Sequence, residues 1–164
     1  MFDLEDCPKE ENEMSAGRIL FVCLGNICRS PTAEAVLRAM AQARGLDLVV
    51  ESAGTGGYHI GADPDPRSRR VAEARGYDFT GQVSRKLSAQ DFSDFDLILC
   101  MDQANLHDTR AVMPEGARAK VRRFLDYAVD QDLRDVPDPY YENNFEQVLD
   151  LIELGVGRVL DAET

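Results

Sequence analysis

The sequence predicts an α/β fold in which a mostly parallel sheet is covered by helices on both faces. Three observations carry that prediction. Short apolar runs of strand length alternate along the chain with segments of helical period. The runs "RILFV" (18–22) and "FDLILCM" (95–101) are almost continuously apolar, as strands buried on both faces are. No internal repeat and no linker divides the 164 residues, which is a length suited to one domain with a sizeable core.

The elements follow in order. "RILFV" (18–22) is the first buried strand. "PTAEAVLRAMAQARG" (31–45) is a helix, with Ser30 placed to cap it, Pro31 suited to its first turn and Gly45 ending it. "LDLVVESAG" (46–54) is the next strand, and "PRSRRVAEARG" (66–76) a second helix closed by glycine. "SAQDF" (88–92) opens a short helix with a Ser-x-x-Asp capping box. "FDLILCM" (95–101) returns to the sheet, "QANLHDTRAVM" (103–113) is helical, and "AKVRRFL" (119–125) is the last strand. "DYAVDQDLRDVPDPYYEN" (126–143) is a loop rich in Asp and Pro, and "FEQVLDLIELGVGRVL" (145–160) is a closing amphipathic helix. Such alternation builds a parallel sheet covered on both sides.

Residues 1–17, "MFDLEDCPKEENEMSAG", hold six acids and one lysine and read as a loosely ordered acidic arm before a single domain at 18–164. The arm lacks the basic start and apolar centre of a secretion signal, and no apolar run has bilayer-spanning length. The net charge of −12 argues against nucleic acid and anionic membrane as partners, since both need a basic surface. Any anion site must therefore be local. The four cysteines, Cys7, Cys23, Cys28 and Cys100, have neither the spacing of a secreted disulfide framework nor that of a zinc site. A reduced, cytoplasmic chain is expected.

The break between the first strand and first helix is where chemistry concentrates. In a parallel α/β sheet, ligands bind beyond the carboxyl ends of the strands. The stretch Cys23, Leu24, Gly25, Asn26, Ile27, Cys28, Arg29, Ser30 lies at such an end and at a helix N-terminus, where outward N–H groups and the helix dipole favour an anion. A turn at Gly25 would let successive N–H groups curl into a nest. No lysine is present, so this is not a nucleotide P-loop. The pattern is Cys-x5-Arg-Ser: a thiol at the floor of a phosphate cradle, amides for the non-bridging oxygens, and an arginine to clamp two of them. Positive surroundings favour the thiolate. A phosphorylated thiolate also needs an acid for the leaving oxygen and a base for water, and one carboxyl group can serve as both. The 126–143 loop offers Asp126, Asp130, Asp132, Asp135 and Asp138, and physical reasoning leaves that choice open.

"VCLGNICRSPTAEA" (22–35) resembles the signature of the low-molecular-weight protein tyrosine phosphatases. The likeness continues through "SAGT" (52–55), "DPR" (65–67), "FDLILCMDQANL" (95–106) and "DPYYEN" (138–143), so it spans residues 18 to 160 in the same order. It implies a three-layer sandwich with a central four-stranded parallel sheet, a phosphate-binding loop after the first strand, and no metal or cofactor. It assigns Cys23 as nucleophile, Arg29 as phosphate clamp and Asp138 as general acid and base. Asn26, Ser30 and Ser52 match positions that support the loop. Tyr58, Tyr140 and Tyr141 match an aromatic wall suited to phosphotyrosine. The resemblance also implies tyrosine-phosphorylated proteins as partners, with a cognate tyrosine kinase a further candidate, and a monomer. Cys28 matches a second loop thiol able to pair with Cys23 under oxidation.

Some positions depart from the pattern. Arg75 stands where some members have a histidine supporting the loop network, and His59 sits where the family varies. Two rival activities share the fold. Arsenate reductases carry two further redox cysteines, one matched by Cys100 and one where this chain has His107. Protein-arginine phosphatases have a threonine before the second loop cysteine, where this chain has Ile27. A catalytically dead phosphate-binding module would be expected to have lost Cys23, Arg29 or Asp138, and all three are present.

Overall fold

The computed structural model describes residues 17–164. Cys7 and the acidic arm before Gly17 lie outside the described residues. Four strands, β1 (Arg18–Cys23), β2 (Val49–Gly54), β3 (Leu97–Cys100) and β4 (Lys120–Arg123), form one sheet in the order β2-β1-β3-β4. Every pairing is parallel. The helices are α1 (Arg29–Ala43), α2 (Pro66–Glu73), α3 (Asp91–Asp94), α4 (Gln103–Ala111), α5 (Pro139–Glu142) and α6 (Phe145–Glu163), with a 3-10 turn at Phe124–Tyr127. The expected α/β sandwich on a four-stranded parallel sheet is thus the observed one.

The continuous apolar character of β1 has a direct cause. Ile19 and Phe21 point into a core shared with Val36 and Leu37 of α1 and with Leu149, Ile152 and Val156 of α6. Leu20 and Val22 point to the opposite face, against Phe92 of α3 and Leu106 of α4. A strand inside such a sandwich has no solvent face, so both of its alternating sets are apolar. β1 is also the switch point, because β2 adds on one side of it and β3 and β4 on the other. A crevice opens beyond the carboxyl ends of the strands there.

Several boundaries differ from the sequence reading. Helix α1 begins at Arg29 rather than Pro31, and Cys28 occupies its N-cap without a side-chain cap bond. Ser30 is not the cap. Its hydroxyl lies 3.0 Å from Cys23 Sγ, inside the loop. The capping box at Ser88 is half formed: Asp91 Oδ2 accepts from the Ser88 N–H at 2.9 Å, but Asp91 N–H donates to the Ser88 carbonyl. The last strand ends at Arg123 because Phe124 and Leu125 turn into the core. The loop at 126–143 contains helix α5, which Asp138 caps by accepting from Tyr140 N–H at 3.1 Å, with Pro139 in its first turn.

Gly155 lets α6 lie against the sheet. A Cβ there would stand 2.7 Å from Phe124 Cε2, and that ring is wedged edge-on against Phe21 at 5.5 Å. Gly155→Ala is therefore expected to destabilise the fold by about 1–3 kcal/mol despite alanine's better helix propensity. Thermal unfolding followed by circular dichroism checks this, with a fall of several degrees expected.

Candidate active site

Segments following three parallel strands meet at one end of the sheet. The loop 23–28 follows β1, Asp102 follows β3, and the segment reaching Asp138 follows β4. They enclose a cleft of about 430 Å³ with Cys23 at its floor. Leu24, Gly25, Ile27, Cys28, Arg29 and Asp138 line it, and Tyr58, His59, Tyr140 and Tyr141 stand at its rim. Of the five aspartates the sequence left open, Asp138 alone lines this cleft. Asp126 pairs with Arg123, Asp130 with Arg158, and Asp135 accepts from Gln103 N–H.

The loop turns on Asn26, not on Gly25. Asn26 adopts φ +57°, a left-handed conformation that asparagine tolerates better than other side-chain-bearing residues. Its side chain is then used in full. Nδ2 donates to Ser30 Oγ at 2.8 Å and to Ser52 Oγ at 3.0 Å, while Oδ1 accepts from Arg85 N–H at 2.9 Å. The Asn26 N–H lies 3.3 Å from Cys23 Sγ. Gly25 serves closeness instead, since a Cβ there would stand 3.0 Å from the His59 ring. Ser84 Oγ–H donates to the Gly25 carbonyl at 3.1 Å. Sequence reasoning named Asn26, Ser30 and Ser52 as supports. It missed the 84–85 segment and Glu34, which accepts from Ser52 at 2.8 Å.

Arg29 is only 3% exposed. Its NH1 donates to Asp102 Oδ2 at 2.6 Å and to the Val136 carbonyl at 2.9 Å, and its NH2 faces Asp138 Oδ2 at 3.5 Å. Burial opposes its charge, but the neighbouring Cys23 and the bond to Asp102 outweigh this and raise its pKa. Asp102 was missed in the sequence because its visible role is local: Oδ1 caps α4 by accepting from Asn105 N–H at 2.8 Å. Asp102 and Asp138 are thus both helix caps, and both turn an oxygen toward the same guanidinium.

The rim is aromatic. Tyr58 and Tyr141 are each 76% exposed, and the Tyr140 and Tyr141 rings meet edge-on at 5.1 Å. Arg67, bonded to Asp65, stacks over Tyr140 at 5.4 Å and buttresses it from behind. Arg75 is far from the loop in function: it pairs with Glu146, Asp150 and Glu153 of α6 and ties α2 to that helix. Cys100 is fully buried in β3. Among the described residues no group of three or more His, Cys, Asp or Glu is placed to hold a metal ion, and no helix is long and apolar enough to cross a membrane.

Fold and cleft together define an α/β protein with a thiol at the floor of a cleft beyond the strands' carboxyl ends. Comparison with known proteins makes this narrower. The family model described as low molecular weight phosphotyrosine protein phosphatase matches residues 18–163. The chain is 45% identical over 144 residues to the low molecular weight protein-tyrosine-phosphatase YfkJ of Bacillus subtilis, covering 87% of this chain and 92% of that one. The crystal structure of YfkJ superposes with a TM-score of 0.85, covering 88% of this chain and 92% of that chain at 44% identity. A low molecular weight phosphotyrosine protein phosphatase of Schizosaccharomyces pombe is 47% identical over 127 residues, covering 76% of this chain and 81% of that one. A structure described as a Drosophila arginine phosphatase superposes with a TM-score of 0.82 at 32% identity, covering 87% of this chain and 95% of that chain. The chain belongs to the low molecular weight phosphotyrosine protein phosphatase family.

The thiols in and near the site are not equivalent. Cys28 packs with Ile27 and Phe145, and burial pushes its thiol up to about 12. Burial likewise pushes Cys100 up to about 12. A thiol below its pKa is protonated and a poor nucleophile. Iodoacetate is therefore expected to leave Cys28 and Cys100 unlabelled at pH 7 and to reach them only as the pH approaches that value. Peptide mass spectrometry across a pH series checks this.

Proposed function

We propose that this protein hydrolyses phosphotyrosine monoesters in proteins through a phosphocysteine formed on Cys23. The observation that carries the reading is the convergence of Cys23, Arg29 and Asp138 on one cleft walled by tyrosines. The Cys23 sulfur attacks phosphorus in line, an S–P bond forms, and the bond to the tyrosyl oxygen breaks. Asp138 delivers a proton to that leaving oxygen. Water then attacks the phosphocysteine, Asp138 takes its proton, and inorganic phosphate and the thiolate are released. Arg29 and the loop N–H groups hold the equatorial oxygens, where charge spreads in the transition state.

The aromatic rim supports an aryl substrate. A phosphotyrosine ring is long enough to reach past Tyr58 and Tyr140 to the floor, whereas phosphoserine is too short. Phosphoarginine is the second reading, favoured by the likeness to the Drosophila structure. The apolar Ile27 in the cleft wall favours the aryl ester over it. We further assign tyrosine-phosphorylated proteins, and a cognate tyrosine kinase among them, as partners of a monomeric cytoplasmic enzyme that uses no metal. Cys28, one residue from the Arg29 clamp, is assigned the thiol that pairs with Cys23 under oxidation, a step that its protonated state at neutral pH would slow.

Two substitutions test the mechanism. Cys23→Ser is expected to lose activity on p-nitrophenyl phosphate and phosphotyrosine peptides by at least roughly a thousandfold, and substantial residual turnover would sink the nucleophile assignment. Asp138→Asn is expected to lower kcat by roughly 10²–10⁴ for phosphotyrosine, whose leaving oxygen needs a proton, and less for leaving groups of low pKa. Equal turnover of phosphoarginine and phosphotyrosine would transfer the substrate assignment to the second reading.

A further inference from the structure

A second hollow of about 430 Å³ opens beside the Cys23 cleft, lined by Arg67, Arg70 and Val71 of α2 and by Asn143, Phe145 and Glu146 where α5 hands over to α6. The two share a wall. Tyr140 lines the first and Arg67 the second, and the Arg67 guanidinium lies 5.4 Å from the centre of the Tyr140 ring and 4.8 Å from that of Phe145. Phe145 and Val71 also pack with Ile27 and Cys28, which line the cleft. Arg67 and Arg70 stand three residues apart, on one face of α2. Asp65 occupies only Nε and NH2 of Arg67, at 3.1 and 2.9 Å. Arg69, between them, is paired with Glu73. Arg70 is exposed, and it is the one arginine among the described residues whose side chain has no hydrogen-bonding or ionic partner among them. Glu146, the acid of the hollow, is held by Arg75 at 2.9 Å. In a chain of net charge −12, two guanidiniums left open to a concave surface next to the cleft are the exception.

We propose that this hollow is a subsite for the carboxylate of an acidic residue flanking the phosphotyrosine of a protein substrate, with Arg70 its principal contact and Arg67 the second. This rests on the reading of the Cys23 cleft as a phosphotyrosine site. A peptide whose phosphotyrosine fills the cleft must leave across the rim, and on the Tyr140 side it meets these two guanidiniums. An extended chain advances about 3.3 Å per residue, so a side chain one to three positions from the phosphotyrosine spans the one ring and one guanidinium between the two hollows. A guanidinium takes a carboxylate through two parallel N–H···O bonds, and Val71 and Phe145 offer apolar surface to the methylenes that carry it.

The test compares phosphotyrosine peptides of otherwise neutral sequence in which glutamate occupies, one at a time, each of the three positions on either side of the phosphotyrosine. The readout is the ratio of kcat/KM for each glutamate peptide to that for the neutral peptide, so any effect of a variant on the cleft itself cancels. At one position or two neighbouring ones the ratio is expected to reach about three- to fivefold, the scale of a solvent-exposed ion pair, and to reside in KM. Added salt is expected to shrink it. Arg70→Ala is expected to bring it to about one, Arg70→Lys to keep part of it and Arg70→Glu to invert it. Arg70 is exposed, so these replacements leave the core intact. A ratio of one at every position in the native protein, or a raised ratio that Arg70→Ala leaves in place, overturns the proposal. Calorimetric binding of the same peptides to Cys23→Ser separates this result from the hydrolysis reading. The same preference in affinity without turnover by the native protein removes the hydrolysis reading and leaves the subsite, whereas peptides that neither bind nor turn over remove both.

Discussion

Removing a guanidinium from water costs several kcal/mol even after the protein relaxes around it, and Arg29 is almost wholly removed. Two carboxylates and a carbonyl offset that cost, and they come from segments that follow different strands: Asp102 after β3, Val136 and Asp138 after β4. The sheet is what brings those ends within reach of Arg29, which itself stands at the first position of α1 behind β1. Losing either carboxylate would leave the guanidinium under-compensated. Orientation follows from the same bonds, because the use of NH1 by Asp102 and Val136 fixes the plane of the group against the cleft. The site and the closure of the sheet are therefore one structural event.

The electrostatics of the chain make sense only at this scale. With a net charge of −12, the molecule as a whole repels a phosphate dianion. On the proposed function attraction has to be short-ranged, and the groups available for it are one buried cation, the N–H groups of the loop and the start of α1, whose N-cap makes no side-chain bond. Several arginines elsewhere are occupied by carboxylates. Arg85 is bound bidentate by Asp91, Arg158 by Asp130, and Arg75 by three acids on α6.

Much of this was legible in the sequence where the signal is local. The β1 run, the turn after it and Cys-x5-Arg-Ser lie within a dozen residues, and strand-turn-helix placement gives that spacing its meaning. The same locality explains what was misread. Ser30 beside Pro31 looks like a helix cap, but the hydroxyl is drawn inward by Asn26 and Cys23. Asp102 and Glu34 were invisible because each also satisfies a local pattern, a cap for α4 and a surface i,i+4 pair with Arg38, while the contacts that matter reach 73 and 18 residues along the chain. Asp138 stood among five equivalent aspartates until the resemblance selected it, and only the path of the chain after β4 places it at the cleft and its fellows elsewhere.

Position 26 illustrates how few amino acids such a loop can use. A backbone at φ +57° strongly disfavours the β-branched residues. Glycine would satisfy the backbone but take one hydrogen bond each from Ser30 and Ser52 and the acceptor from the Arg85 N–H. Aspartate has the right length but no N–H to give the two serines, and glutamine places its amide a methylene too far out. Asparagine alone combines tolerance of that torsion with two donors and one acceptor at the correct reach. The torsion and the three bonds at position 26 thus leave room for one side chain, whereas Tyr58 and Tyr141 at the rim, each 76% exposed, carry no comparable constraint from the fold.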